Sequence, residues 1–145
     1  MNLTSLEDTA ALAQHVARSL SPGTTVALCG PLGAGKTTLT RELVRALGGI
    51  DPVSSPTFVL EHEYRTTSGV VVCHWDLYRL AESPPELSEP PGPAEIRLVE
   101  WAYKVPAIVA TADLTVTLQI SVTGDVLTRS VLLQGRLASN LAVGR

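Results

Sequence analysis

Apolar and polar positions alternate with different periods along the chain, and each period predicts an element. From Thr4 to Leu20, Ala10, Ala13, Ala17 and Leu20 share one helical face, opened by Thr4 and Glu7 in capping-box spacing. Pro22 and Gly23 end that helix. Thr24 to Cys29 follows as a short β-branched run, a buried strand that enters a glycine-rich turn. Beyond the turn Leu39, Leu43, Ala46 and Leu47 return to helical spacing, and Gly48 and Gly49 break it as a C-terminal cap would. The order is strand, glycine loop, helix.

Residues 50 to 57 are loop-like, with Pro52, Ser54, Ser55 and Pro56. Phe58, Leu60, His62 and Tyr64 then alternate with Val59, Glu61 and Glu63, one face apolar and the other largely acidic. Arg65 to Gly69 can turn the chain into Val70 to Trp75, which predicts an antiparallel hairpin ending at Asp76. Pro84, Pro85, Pro90, Pro91 and Pro93 limit residues 82–94 to an exposed loop with at most a helical turn. Glu95 to Trp101 reads as a strand, and Leu114 to Ile120 with Val126 to Leu133 as two strands around Thr123-Gly124-Asp125. The reading is a single domain over residues 1–135 and a mobile tail from Arg136 to Arg145. No internal repeat interrupts it.

Composition narrows the class. The 145 residues, 45% hydrophobic and 17% charged, suffice for one core and not two. No apolar run reaches the roughly 18 residues that cross a bilayer, so the chain is expected to be soluble and cytoplasmic, without a membrane partner. With 11 basic against 14 acidic side chains, no global positive field holds nucleic acid by its phosphates. Direct DNA or RNA binding is disfavoured. Cys29 and Cys73 each sit in an apolar strand-like run, where thiols behave as small hydrophobes, and neither a disulfide nor a cysteine metal site is expected.

Gly30-Pro31-Leu32-Gly33-Ala34-Gly35-Lys36-Thr37 matches the phosphate-binding loop: glycine, four residues, glycine, lysine, then serine or threonine. Gly33 and Gly35 permit backbone conformations and close approaches that a Cβ obstructs, so successive N–H groups can face a polyphosphate. The following helix adds its N-terminal dipole. Lys36 brings a compact charge to the β and γ phosphates, and the Thr37 hydroxyl completes a Mg²⁺ shell. A glycine turn before a surface helix is the plainer alternative. The chain has only Lys36 and Lys104 as lysines, so a chance match is rare, and the loop lies between a strand and a helix as the chemistry requires.

Such a loop needs a carboxylate for the cation, normally at the C-terminal end of a neighbouring strand. Asp76 and Glu100 both end strands; Glu100 is preferred for the metal, with Asp76 ordering the attacking water or Thr37, although the spacing leaves both open. Ser54-Ser55-Pro56-Thr57 lies where many such proteins sense the γ-phosphate, which makes Thr57 a switch candidate. All six aromatic residues fall between positions 58 and 103, and Trp101 and Tyr103 stand just past a strand end, where an aromatic serves a partner or nucleotide as readily as the core. His15, His62 and His74 have no paired spacing and are read as structural.

No Asn-Lys-x-Asp motif for reading guanine is present, which favours ATP over GTP. A kinase lid normally carries arginine, and the Pro-rich loop has none between Arg79 and Arg97. Gly30 to Thr38 (GPLGAGKTT), Ser55-Pro56-Thr57-Phe58, His74 to Leu80 (HWDLYRL) and Glu100-Trp101, in series, resemble the TsaE family of bacterial tRNA threonylcarbamoyladenosine biosynthesis, over roughly residues 5 to 135. The resemblance implies a P-loop NTPase-like α/β three-layer sandwich with a mixed, partly parallel sheet, flanking helices and a β-hairpin. It implies ATP held by Gly30, Leu32, Gly33, Ala34, Gly35, Lys36, Thr37 and Thr38, with Thr9 near the adenine and Mg²⁺ between Thr37 and Glu100. Asp76 and Trp101 then serve hydrolysis or its coupling. By the same resemblance the protein acts on a TsaB–TsaD assembly that carries out the transfer, and meets tRNA only indirectly. A nucleotide-gated binding module with little turnover and a small-molecule kinase are the alternatives.

Overall fold

Ser5, one residue later than expected, opens the first helix. Its hydroxyl accepts the Asp8 N–H at 3.2 Å, while the Asp8 carboxylate takes the Thr4 N–H at 2.8 Å and the Thr4 hydroxyl at 2.6 Å. The computed structural model describes residues 1–50 and 61–142. In chain order the elements are β1 (Asn2–Leu3), α1 (Leu6–Ser19), β2 (Thr25–Cys29), α2 (Lys36–Ala46), β3 (Glu61–Arg65), β4 (Val71–Asp76), β5 (Glu95–Glu100), α3 (Pro106–Thr111), β6 (Leu114–Thr123), β7 (Val126–Gln134) and α4 (Ala138–Ala142).

The strands form one mixed sheet in the order β1-β7-β6-β2-β5-β4-β3. β6, β2, β5 and β4 run parallel, and antiparallel pairs close both edges: β6–β7 with β1 on one side, β3–β4 on the other. The predicted hairpin is present, with Glu63 opposite Cys73. β2 lies between two parallel neighbours, and four of its five residues are buried, which explains why it reads as an unbroken apolar run. Successive side chains on the central strands feed opposite faces. Val26, Leu28, Leu98 and Val116 pack under Leu12 of α1 and Leu39 and Leu43 of α2. Ala27, Cys29, Trp75 and Val99 pack against Leu87 of a short 3₁₀ turn and Ile108 of α3. The result is the expected three-layer α/β arrangement. Among the described residues no helix is long and apolar enough to cross a membrane.

The buried stripe of α1 is Leu12, Ala13 and Val16; of the predicted face Ala13 is buried, Leu20 packs partly against the core, and Ala10 and Ala17 are half-buried. The segment after Arg136 also departs from expectation. Leu137, just ahead of α4, and Leu141 within it join the main core, and His15 Nε2 donates to the Leu141 carbonyl at 2.8 Å. Residues 136–142 are therefore part of the packed unit and not a mobile tail. The Pro-rich stretch holds only the turn Pro85–Ser88, as its prolines dictate.

Candidate functional site

The nucleotide-type loop caps the C-terminal end of β2 and delivers the chain into α2. Its glycines serve different needs. At Gly33 (φ +79°) and Gly35 (φ +105°) a Cβ would meet no protein atom within 4 Å, so the requirement is the left-handed backbone itself. At Gly30 (φ +142°) a Cβ would lie 2.6 Å from the Leu118 carbonyl oxygen, so close approach belongs to this position. Among the described residues no side chain caps α2, leaving its first-turn N–H groups open to an anionic ligand at the positive end of the helix dipole.

Lys36 is buried, 5% exposed, and its ammonium donates to the carbonyls of Gly30 at 2.6 Å and Pro31 at 2.8 Å. Its Nζ also stands 3.9 Å from the centroid of the Trp101 ring, a cation–π contact. Burial pulls the Lys36 pKa below the ordinary lysine value, and the Glu100 and Asp76 carboxylates oppose that shift. Trp101 reaches Lys36 from a left-handed backbone (φ +60°), unique among the described non-glycine residues. Its ring lies between Tyr78, at 4.8 Å, and Tyr103, at 5.7 Å. Lys104 Nζ donates to the Tyr78 carbonyl at 2.7 Å and ties the two strand-end loops together.

Asp76 and Glu100 end adjacent parallel strands in direct register. Their environments differ. Glu100 is 2% exposed; its Oε1 accepts from the Thr37 hydroxyl at 3.4 Å and its Oε2 from His74 Nε2 at 2.5 Å. Asp76 Oδ1 accepts the Tyr78 N–H at 3.0 Å. Thr37 and Glu100 thus offer hard oxygen donors side by side, which suits Mg²⁺.

These groups face one cleft of about 560 Å³. Thr9, Leu32, Gly33, Ala34, Gly35, Lys36, Thr37, Thr38, Asp76, Glu100 and Trp101 all line it, while Gly30 contributes only its carbonyl to Lys36. Thr57 and its Ser-Pro loop lie outside the described residues. Two neighbours escaped the sequence reading. Arg129 of β7 lines the cleft because β1 pairs beside it, with Leu3 opposite Arg129. His74 is bonded to Glu100 through the β4–β5 register, and its place two residues before Asp76 was the available signal.

The model of the family described as "Threonylcarbamoyl adenosine biosynthesis protein TsaE" matches residues 3–137. The chain belongs to the TsaE family. Among curated TsaE proteins, that of Haemophilus influenzae is 42% identical over 99 residues, 64% of this chain and 61% of that protein. The Aquifex aeolicus TsaE is 44% identical over 101 residues, covering 68% of this chain and 73% of the relative. The Rickettsia felis TsaE is 36% identical over 119 residues, 79% and 68% of the respective chains. These TsaE relatives are tRNA threonylcarbamoyladenosine biosynthesis proteins by name. The crystal structure of Bacillus subtilis YdiB superposes with a TM-score of 0.68 at 25% identity, covering 99% of this chain and 93% of that one.

Proposed function

We propose that this TsaE-family chain is a Mg²⁺-dependent ATPase that serves tRNA threonylcarbamoyladenosine formation in the cytoplasm by driving a TsaB–TsaD assembly, without transferring the group itself. One observation carries the reading: Lys36, Thr37 and Glu100 converge in one cleft at the carboxyl ends of β2 and β5. The hydroxyl and carboxylate oxygens fit a hard divalent cation. When bound there, Mg²⁺ supplies neutralisation of charge on the β and γ phosphates.

The chain's own groups do the rest. Lys36 exchanges its two carbonyl acceptors for phosphate oxygens, a swap between acceptors that leaves an already buried ammonium paired. The open N–H groups of α2 receive phosphate oxygens. Asp76, in register with Glu100, orders the attacking water, and Trp101 covers Lys36 and excludes bulk water from it. Thr57, outside the described residues, is the candidate γ-phosphate switch that would make partner affinity differ between ATP and ADP. Adenine lies toward Thr9, on the α1 side of the cleft.

Phosphate release by the purified protein with TsaB and TsaD tests this. Wild type is expected to turn over ATP, and Lys36→Ala to lose that turnover. Equal rates for the two proteins reject the proposal; label on a small acceptor instead of free phosphate would make the protein a kinase.

A further inference from the structure

Glu100 uses its two oxygens differently, and the difference originates in one buried side chain. His74 and Glu100 project from neighbouring strands onto the same sheet face, with Asp76 opposite Glu100 and His74 opposite Leu98. Both side chains are sealed from solvent, at 0% and 2% exposure. A carboxylate oxygen accepts, so the 2.5 Å hydrogen bond between them is assigned with His74 Nε2 as the donor. Among the described residues His74 Nδ1 has no hydrogen-bond partner, so the ring's one directed polar contact there is with Glu100. Leu98, opposite His74 in register, and Val72, two residues before it, are both fully buried.

We infer that His74 is a positioning residue that tethers Oε2 of Glu100 and thereby presents Oε1 alone, in a set direction, beside the Thr37 hydroxyl. Glu100 becomes a one-oxygen donor aimed into the cleft. A ligand carboxylate held this way cannot rotate to chelate with both oxygens, and its geometry suits a small cation with strict octahedral preferences. The inference rests on the Mg²⁺–nucleotide reading of the cleft. It assigns to His74 a part in cation affinity without contact with nucleotide.

Calorimetry with a non-hydrolysable ATP analogue, with Mg²⁺ varied and in EDTA, separates this role from simple space filling. In His74→Leu and His74→Asn, which lack a donor at the Nε2 position, the Mg²⁺ concentration for half-maximal tightening should rise about 10- to 100-fold. Metal-free nucleotide affinity should stay within about twofold of wild type, because the phosphate cradle is untouched. His74→Gln can place its amide near Nε2 and should restore the Mg²⁺ response to within about threefold. Folded Leu and Asn variants with wild-type Mg²⁺ dependence overturn the inference, as does equal loss with and without Mg²⁺. Should the variants not fold, ¹⁵N-histidine NMR of the wild type decides among only three imidazoles: a proton on Nε2 of His74 supports the tether and an Nε2 without one overturns it. A wild type that binds nucleotide equally well in Mg²⁺ and EDTA overturns the cation reading itself, whatever the tautomer.

Discussion

Gly30→Ala isolates the geometric demand at the root of the phosphate loop. The new methyl would meet the Leu118 carbonyl oxygen at 2.6 Å and Leu118 Cβ at 3.3 Å. Leu118 cannot step aside, because β6 is held between β2 and β7. Forcing an L-residue to φ +142° costs about 1–3 kcal/mol, and the overpacking adds about 1–3 kcal/mol. Set against a typical domain stability of about 5–15 kcal/mol, a loss of about 2–6 kcal/mol is severe. At about 3 °C per kcal/mol, the melting midpoint should fall by about 6–18 °C. Gly33→Ala is the matched control: it has open space around its Cβ and only the left-handed backbone to oppose it, a cost of about 1–2 kcal/mol and about 3–6 °C. Urea and thermal unfolding without nucleotide, followed by circular dichroism, measure both. A Gly33→Ala variant as unstable as Gly30→Ala, or more so, would refute the division between space and conformation.

Leu141→Ala should destabilise the protein by about 2–5 kcal/mol in urea unfolding, since Leu141 is 4% exposed in the main core; a change below about 0.5 kcal/mol would mean that α4 is not docked. Burial and the Glu95, Glu61 and Glu63 carboxylates push the Cys73 thiol up to about 12, so at pH 8 the native thiol should alkylate about three orders of magnitude more slowly than a free cysteine, and normally once unfolded in urea. Mass spectrometry of the alkylated peptides checks this, and labelling of native Cys73 at the free-cysteine rate would contradict it. Arg129→Ala should weaken binding of Mg²⁺–nucleotide about three- to tenfold at low salt and converge with wild type at high salt, because Arg129 is an exposed cation lining the cleft. Salt-independent loss in calorimetry would instead assign it a packing role.

What the sequence made legible was local. The phosphate loop, both flanking elements and the two strand-end carboxylates depend on neighbours within a few residues, so spacing alone exposed them. The cap expected at Thr4 with Glu7 forms one residue later, and only the realised bonds show that Ser5 leads. The two-residue β1 and the six-residue α3 are too short for a periodic signal, and both are fixed by tertiary partners. The same reason hid α4: Leu137 and Leu141 acquire meaning only once α1 lies against them. His74 looked structural because a lone histidine in a strand has no spacing to a partner 26 residues away. The parallel register of β4 and β5 supplies that partner, and parallel pairing is set by chain crossovers that no local pattern encodes.

Charge balance in the cleft links these observations to the need for a cation. Among the described residues the formally charged side chains lining it are Lys36 and Arg129 against Asp76 and Glu100, so these walls carry no net charge to set against a triphosphate. Lys36 is moreover already engaged, by two carbonyls and the face of Trp101, and Arg129 is exposed and screened. Backbone N–H groups at the start of α2 contribute partial charge only. A triphosphate entering with its full charge would meet Asp76 and Glu100 at close range, and like charges there are costly where water is excluded. On the proposed reading, a divalent cation held by Thr37 and Glu100 would reverse that sign at the point of conflict. The buried carboxylate, repulsive toward free nucleotide, would then favour the metal-bound form, with the proposed His74 tether setting the direction of its oxygen.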